Sequence, residues 1–338
     1  MIRQFYDSGL LFSFTGFDHT TGVHPLYYFF LLPWYPLVGM WLPIFSFGLN
    51  FAVMFVAAIF LRRVYGDLVS LITVIFWLYA TAITGVINGL ESTLALLGLV
   101  LVLYTIHKYE SKQLVDSLKP LFLIGSALGL AMFARLDLVF VAVAFGLAWS
   151  VYFWCRRQFN FGQVKKYLTQ GLAFGLPILA FFGMAVAINH YYDNGLVSAA
   201  ADIKSSFPHI RPDWEIRFFH ARFKYFFLAN LIGLLYLSYQ YYRYKSIPLS
   251  IATLWLGCVF FQAFNFLFVQ LSSIGYWYNV ISILLITLLV AMFSVFIAQR
   301  VANLISVPFR LLANPLSLVW CPTITIVTKQ AIRGWPII

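Results

Sequence analysis

Charge is scarce in this chain. Of its 338 residues 10% are charged, against about 25% in a soluble domain. Only 11 residues are acidic. That excludes a water-soluble globule. Cysteine is scarce as well. Cys155, Cys258 and Cys321 stand in or beside apolar segments, with no metal-ligand spacing and no disulfide framework, and are expected to serve as packing residues. No internal repeat or low-complexity segment occurs, and the N-terminus lacks the charged, apolar and small-residue regions of a cleavable signal.

Apolar surface is what the sequence has in excess. Hydrophobic residues make up 62%, aromatics 20% with 36 Phe, and the mean hydropathy is +0.87. This composition specifies an all-α, polytopic transmembrane helix bundle rather than a domain with a single anchor. The net charge of +11 at first suggests nucleic acid. Its bases, however, lie mostly in short loops at the ends of apolar segments, where they encode topology, and none forms a soluble, aromatic-studded basic face. The lipid bilayer is the expected partner, and nucleic acid is not.

Nine spans are predicted, at about 41–61, 68–87, 92–106, 120–134, 138–154, 167–188, 225–242, 247–271 and 276–298. Residues 26–40 are too short to cross, since a span needs roughly 20 residues. Pro33 and Pro36 interrupt them, so they are expected to dip into the bilayer or lie along it. This divides the chain into an external loop with a short jaw-like helix (1–40), a transmembrane bundle (41–300) carrying a long polar loop (190–224), and a tail (301–338) with one ambiguous apolar stretch at 311–327.

Sidedness follows from counting. If Arg62 and Arg63 are cytoplasmic, their side carries 12 Lys/Arg and only three acids, Asp67, Glu110 and Asp116. The other side holds seven Lys/Arg and the remaining eight acids, with five of six histidines, all but His107. This is the positive-inside bias, and it predicts a multi-pass protein with its chemically usable side chains on the external face. Mid-depth positions read as polar-poor.

The external set contains the candidate site. Asp18, His19 and His24 fall within seven positions in a polar, Gly-containing loop, FSFTGFDHTTGVHPLYY. Glu91 occupies a tight turn, NGLES, and Arg135 and Asp137 a hairpin with almost no loop, FARLDLVF. Lys204, His209 and Arg211 lie in YYDNGLVSAAADIKSSFPHIRPDW. Ionisable groups at the edge of a span mark wet cavities or pairs, and Lys and Arg stabilise phosphate. Each also has an ordinary reading: solvated loops for the first and last groups, a local ion pair or turn device for Arg135 and Asp137. The aromatic patch SIGYWY at 273–278 is read as an interfacial belt or a surface for stacking sugar.

These same motifs resemble the bacterial GT-C glycosyltransferases, membrane enzymes that use polyprenyl-phosphate sugars. The loop ending in HPLYY is similar to their NG-D-TNG-HPLW, NGLES to NG-ME, ARLD to TR-D, and the 191–214 loop to YFG-LLP-S---KS. The resemblance covers about residues 2–300. It implies transfer of a sugar from a polyprenyl-phosphate donor to a glycan, lipid or protein acceptor on the external face of the bacterial cytoplasmic membrane. Asp18 would position substrate or a divalent metal, Glu91 and Asp137 would line the cavity, and Lys204 with Arg211 would hold phosphate. The family's catalytic base belongs to an acidic pair after a first transmembrane helix and before a segment similar to RQFYDSG. Here Arg3 to Gly9 match that segment and only Met1 and Ile2 precede it. The catalytic residue is therefore unassigned. A reading frame that continues upstream and a truncated, inactive copy both remain open. So do a transporter or flippase of an amphipathic solute, which would place polar groups at mid-depth and often show inverted repeats, and a non-catalytic remnant.

Overall fold

Long apolar segments in a bilayer must satisfy their own backbone hydrogen bonds, which makes each of them a helix. A computed structural model describes residues 25–81, 92–109, 113–156, 161–193, 209, 221–269 and 280–313. Helix α1 (Pro25–Leu31) leads through a 3-10 turn (Leu32–Trp34) to α2 (Tyr35–Val38) and a second 3-10 turn (Gly39–Trp41). The long helices follow: α3 (Leu42–Tyr65), α4 (Asp67–Thr81) and α5 (Ser92–Tyr109). A one-turn helix, α6 (Gln113–Asp116), precedes α7 (Leu118–Ala134), and a 3-10 corner (Leu136–Leu138) joins it to α8 (Val139–Arg156). Helices α9 (Phe161–Asp193), α10 (Ala221–Tyr244), α11 (Leu249–Phe268) and α12 (Val280–Ala313) complete the described chain.

Each predicted span corresponds to one of the nine helices α3 to α5 and α7 to α12. Among the described residues six helical stretches are long and apolar enough to cross a membrane, and Asp67–Leu78 and Leu118–Ala134 are shorter apolar helices. The all-α polytopic bundle is thus the observed architecture. The helices run past several predicted ends. Helix α9 continues through the polar residues His190 to Asp193, and α12 runs on to Ala313. The segment 25–41 is helical but broken, with Gly39 at φ 51.

Corners are set by single residues. Helix α3 stops where Gly66 takes φ 85, a conformation without a Cβ penalty, and donates its N–H to the Arg62 carbonyl at 2.9 Å. Arg62 then pairs with Asp67 across the corner. Helix α7 lies centrally, packed against α5, α9 and α1, while α8 packs on α11 and α4 on α12. Close approach explains the small residues of α7: a Cβ on Gly125 would stand 2.2 Å from the Phe174 carbonyl oxygen of α9. Small residues at such crossings let backbones meet where lipid offers no hydrophobic drive.

Two corrections concern polarity. The spans are not polar-poor, since Asn50, Gln170, Thr253, Gln262 and Asn265 are all buried. The Gln262 amide donates to Cys258 Sγ at 3.1 Å and to Ser282 Oγ at 3.0 Å, joining α11 to α12. Of the three cysteines expected to pack, Cys258 is buried and Cys155 is exposed; Cys321 lies outside the described residues. Outward-facing leucines such as Leu172, Leu176 and Leu179 form the lipid-facing surface that a soluble protein would not tolerate.

Candidate functional site

The two ends of α7 differ chemically. At 1.5 Å per residue its 17 residues hold those ends about 26 Å apart. Its first turn meets the basic loops, where Lys166 bonds Asp116 at 2.8 Å. Its last residue delivers Arg135 to the opposite end. There the chain turns sharply. Arg135 is extended (φ −152, ψ 114) and its N–H closes the last turn of α7 on the Ala131 carbonyl at 2.9 Å. The following 3-10 turn places Asp137 ahead of α8.

The side chains of this corner face each other. Arg135 Nε and Nη2 donate to Asp137 Oδ1 and Oδ2 at 3.1 and 2.9 Å, the forked geometry that suits a guanidinium and a carboxylate. Arg135 Nη1 lies 3.5 Å from Ser92 Oγ at the start of α5. The Arg135 side chain is 1% exposed and that of Asp137 18%, so the pair is shielded on the arginine side and open on the carboxylate side.

Next to Ser92, Thr93 hydrogen-bonds Asn50 of α3. Asn50 stands eight residues below Leu42, the start of α3, or about 12 Å along the helix. The layer Asn50, Ser92, Thr93, Arg135 and Asp137 is therefore recessed by roughly that depth beneath the start of α3. Helix α1 packs on α7 beside it and buries Tyr28 and Leu31. One turn below Asp137, Phe140 contacts Phe261 and Phe264 at ring distances of 5.8 and 5.3 Å, and Phe264 meets Phe268 at 5.2 Å, giving an aromatic wall.

The electrostatics of this layer combine helix N-termini with the Arg135–Asp137 ion pair. The N-termini of α5 and α8 both lie there, each with the positive end of a helix dipole. A buried guanidinium adds to them. Asn50 Nδ2 is buried with no hydrogen-bond partner among the described residues, an amide donor held in the same layer.

Of the residues expected from sequence, Arg135 and Asp137 are brought together. His209 is exposed at a bend. Asp18, His19, His24, Glu91, Lys204 and Arg211 lie outside the described residues. Among the described residues no three His, Cys, Asp or Glu side chains converge as metal ligands. Sequence reasoning missed Asn50, Ser92 and Thr93. The available signal was Asn50 itself, a lone amide within the apolar run FGLNFAV.

No protein-family model matches the chain, and no curated protein sequence does. Among solved structures it is similar to ArnT from Cupriavidus metallidurans bound to undecaprenyl phosphate, with a TM-score of 0.56 and 15% identity. The match covers 95% of this chain and 60% of that one. At that identity the likeness is one of fold: this chain shares the helical arrangement of the ArnT membrane bundle and spans about 60% of its length.

Proposed function

We propose that the protein is a membrane glycosyltransferase that moves a sugar from a polyprenyl-phosphate donor to an acceptor hydroxyl, at the end of the bundle away from its basic loops. The observation that carries this reading is the buried Arg135 held between two helix N-termini, in a fold similar to that of a protein bound to a polyprenyl phosphate. In such a transfer the bond from the anomeric carbon to the donor phosphate breaks as the bond to the acceptor oxygen forms. Negative charge grows on the departing phosphate. In this reading Arg135 and the positive ends of α5 and α8 stabilise it, and Asp137 holds the guanidinium in its fork. The acceptor hydroxyl must lose its proton to a carboxylate; Asp137 is engaged with Arg135, so the base belongs elsewhere on this rim. In this reading Asp18 positions substrate or a metal, Glu91 lines the cavity, and Lys204 with Arg211 holds phosphate.

The test is reconstitution of the full chain in vesicles with a labelled polyprenyl-phosphate sugar and a membrane acceptor extract. Transfer is expected, and Arg135→Gln should lower its rate by about 100-fold, the usual effect of removing one charge-stabilising donor. No transfer from any such donor, or a wild-type rate in Arg135→Gln, would overturn the proposal.

A further inference from the structure

A cleft lies at the basic end, independent of the sugar-transfer reading. It is a space of about 340 Å³ between the α6–α7 corner and the first turns of α9, lined by Asp116, Leu118, Gly162, Lys165, Lys166 and Gln170. That volume falls in the range of small-molecule pockets. Gln170 is 1% exposed and forms a buried polar floor. Lys166 is held by Asp116 at 2.8 Å. Lys165 has no ion pair among the described residues.

The surroundings indicate what fits. Lys165 continues up α9 into Leu168, Leu172, Leu176 and Leu179, which are 58 to 64% exposed and spaced by three or four residues on one helix face. From Leu168 to Leu179 this stripe is about 16 Å long, close to half the roughly 30 Å hydrocarbon core. A cation at the rim above a leaflet-deep apolar stripe matches a headgroup and its acyl chains. Two lysines and one carboxylate leave the cleft with a single positive charge, which suits one phosphodiester. A phosphate monoester would bring its second charge against Asp116.

We propose that this cleft binds a singly charged anionic glycerophospholipid of the basic-end leaflet, its phosphodiester on Lys165 and Lys166 and its acyl chains along the leucine stripe of α9. Basic pockets between membrane helices are suited to such headgroups, and a lysine near an anionic headgroup contributes about a five-fold preference.

Native mass spectrometry of the full chain in mild detergent, with equimolar phosphatidylglycerol and phosphatidylcholine, tests this. One phosphatidylglycerol should be retained with about a five-fold preference, from the cleft's single net positive charge. Lys165→Gln with Lys166→Gln should bring the preference near unity, whereas Lys245→Gln, at another exposed lysine, should leave it unchanged. Asp116→Asn should raise retention, because it removes the competing carboxylate and releases Lys166. That rise separates ligand binding from a fold defect, which would lower retention in both cleft variants. Equal loss in Lys245→Gln, weaker retention in Asp116→Asn, or displacement of the lipid by millimolar glycerol phosphate would overturn the proposal.

Discussion

Replacing Asp137 by Asn removes the carboxylate that grips a guanidinium with 1% exposure. Two charge-assisted bonds, at 3.1 and 2.9 Å, become weaker neutral contacts. Breaking one side of a buried ion pair costs about 3–5 kcal/mol. Because Asp137 is 18% exposed, water reaches part of the pair and the lower end of that range, about 3 kcal/mol, is expected. Arg135→Met should cost less, since the remaining carboxylate lies at the start of α8, where a helix dipole favours it. The double variant should then be more stable than Asp137→Asn alone, with a coupling of about 2 kcal/mol. Unfolding in mixed micelles at rising SDS, followed by tryptophan fluorescence, measures all three. Asp137→Asn within about 0.5 kcal/mol of wild type, or a double variant as unstable as the summed singles, would refute the claim that this corner is a desolvated, coupled pair.

Gly125→Leu forces a side chain into the Phe174 backbone, since even its Cβ would lie 2.2 Å from that carbonyl oxygen; the α7–α9 crossing should loosen by more than the 1–3 kcal/mol of ordinary overpacking, read as a lower melting temperature in detergent. Thr253→Val removes a buried hydroxyl with no hydrogen-bond partner among the described residues and keeps its shape, so the melting temperature should rise, by the equivalent of about 1 kcal/mol. Asn50→Ala removes the acceptor of Thr93 and the unpartnered amide; transfer should fall about ten-fold if that amide contacts substrate, with no change in helical content by circular dichroism. In a background with Cys258→Ser and Cys321→Ser, exposed Cys155 should react with a membrane-impermeant maleimide only after cells are opened, and labelling of intact cells would invert the expected sidedness.

The helices were legible because a long apolar run in lipid has one backbone solution; a helix follows each of the nine predicted segments, and six helical stretches among the described residues are long and apolar enough to cross. Their ends were less legible. His190 to Asp193 read as loop because they are polar, yet α9 carries through them, since polarity marks a rim without ending a helix. The Arg135–Asp137 hairpin was legible as a turn too short for anything but a corner. Its depth was not, because it depends on Asn50 meeting Thr93 across 43 positions, a register that only packing fixes. Gln262 and Asn265, three residues apart in an apolar helix, were the overlooked sign that α11 carries a buried polar seam.

Two corner pairs in this chain separate anchoring from function. Arg62–Asp67 and Arg135–Asp137 each join an arginine to an aspartate a few residues on, at opposite ends of the bundle. The first has side chains 67% and 71% exposed, so water screens it and it contributes about 0–1 kcal/mol. A lysine in place of Arg62 should do as well. The second has lost the hydration of its guanidinium, and desolvation of that kind can exceed the attraction gained. A hydrophobic pair would hold the same corner without that penalty. Under the proposed function, an ion pair that the turn does not need is kept there for a ligand whose charge the guanidinium meets. Lysine in place of Arg135 would keep the charge but lose the fork, so transfer should fall in Arg135→Lys while Arg62→Lys leaves it unchanged.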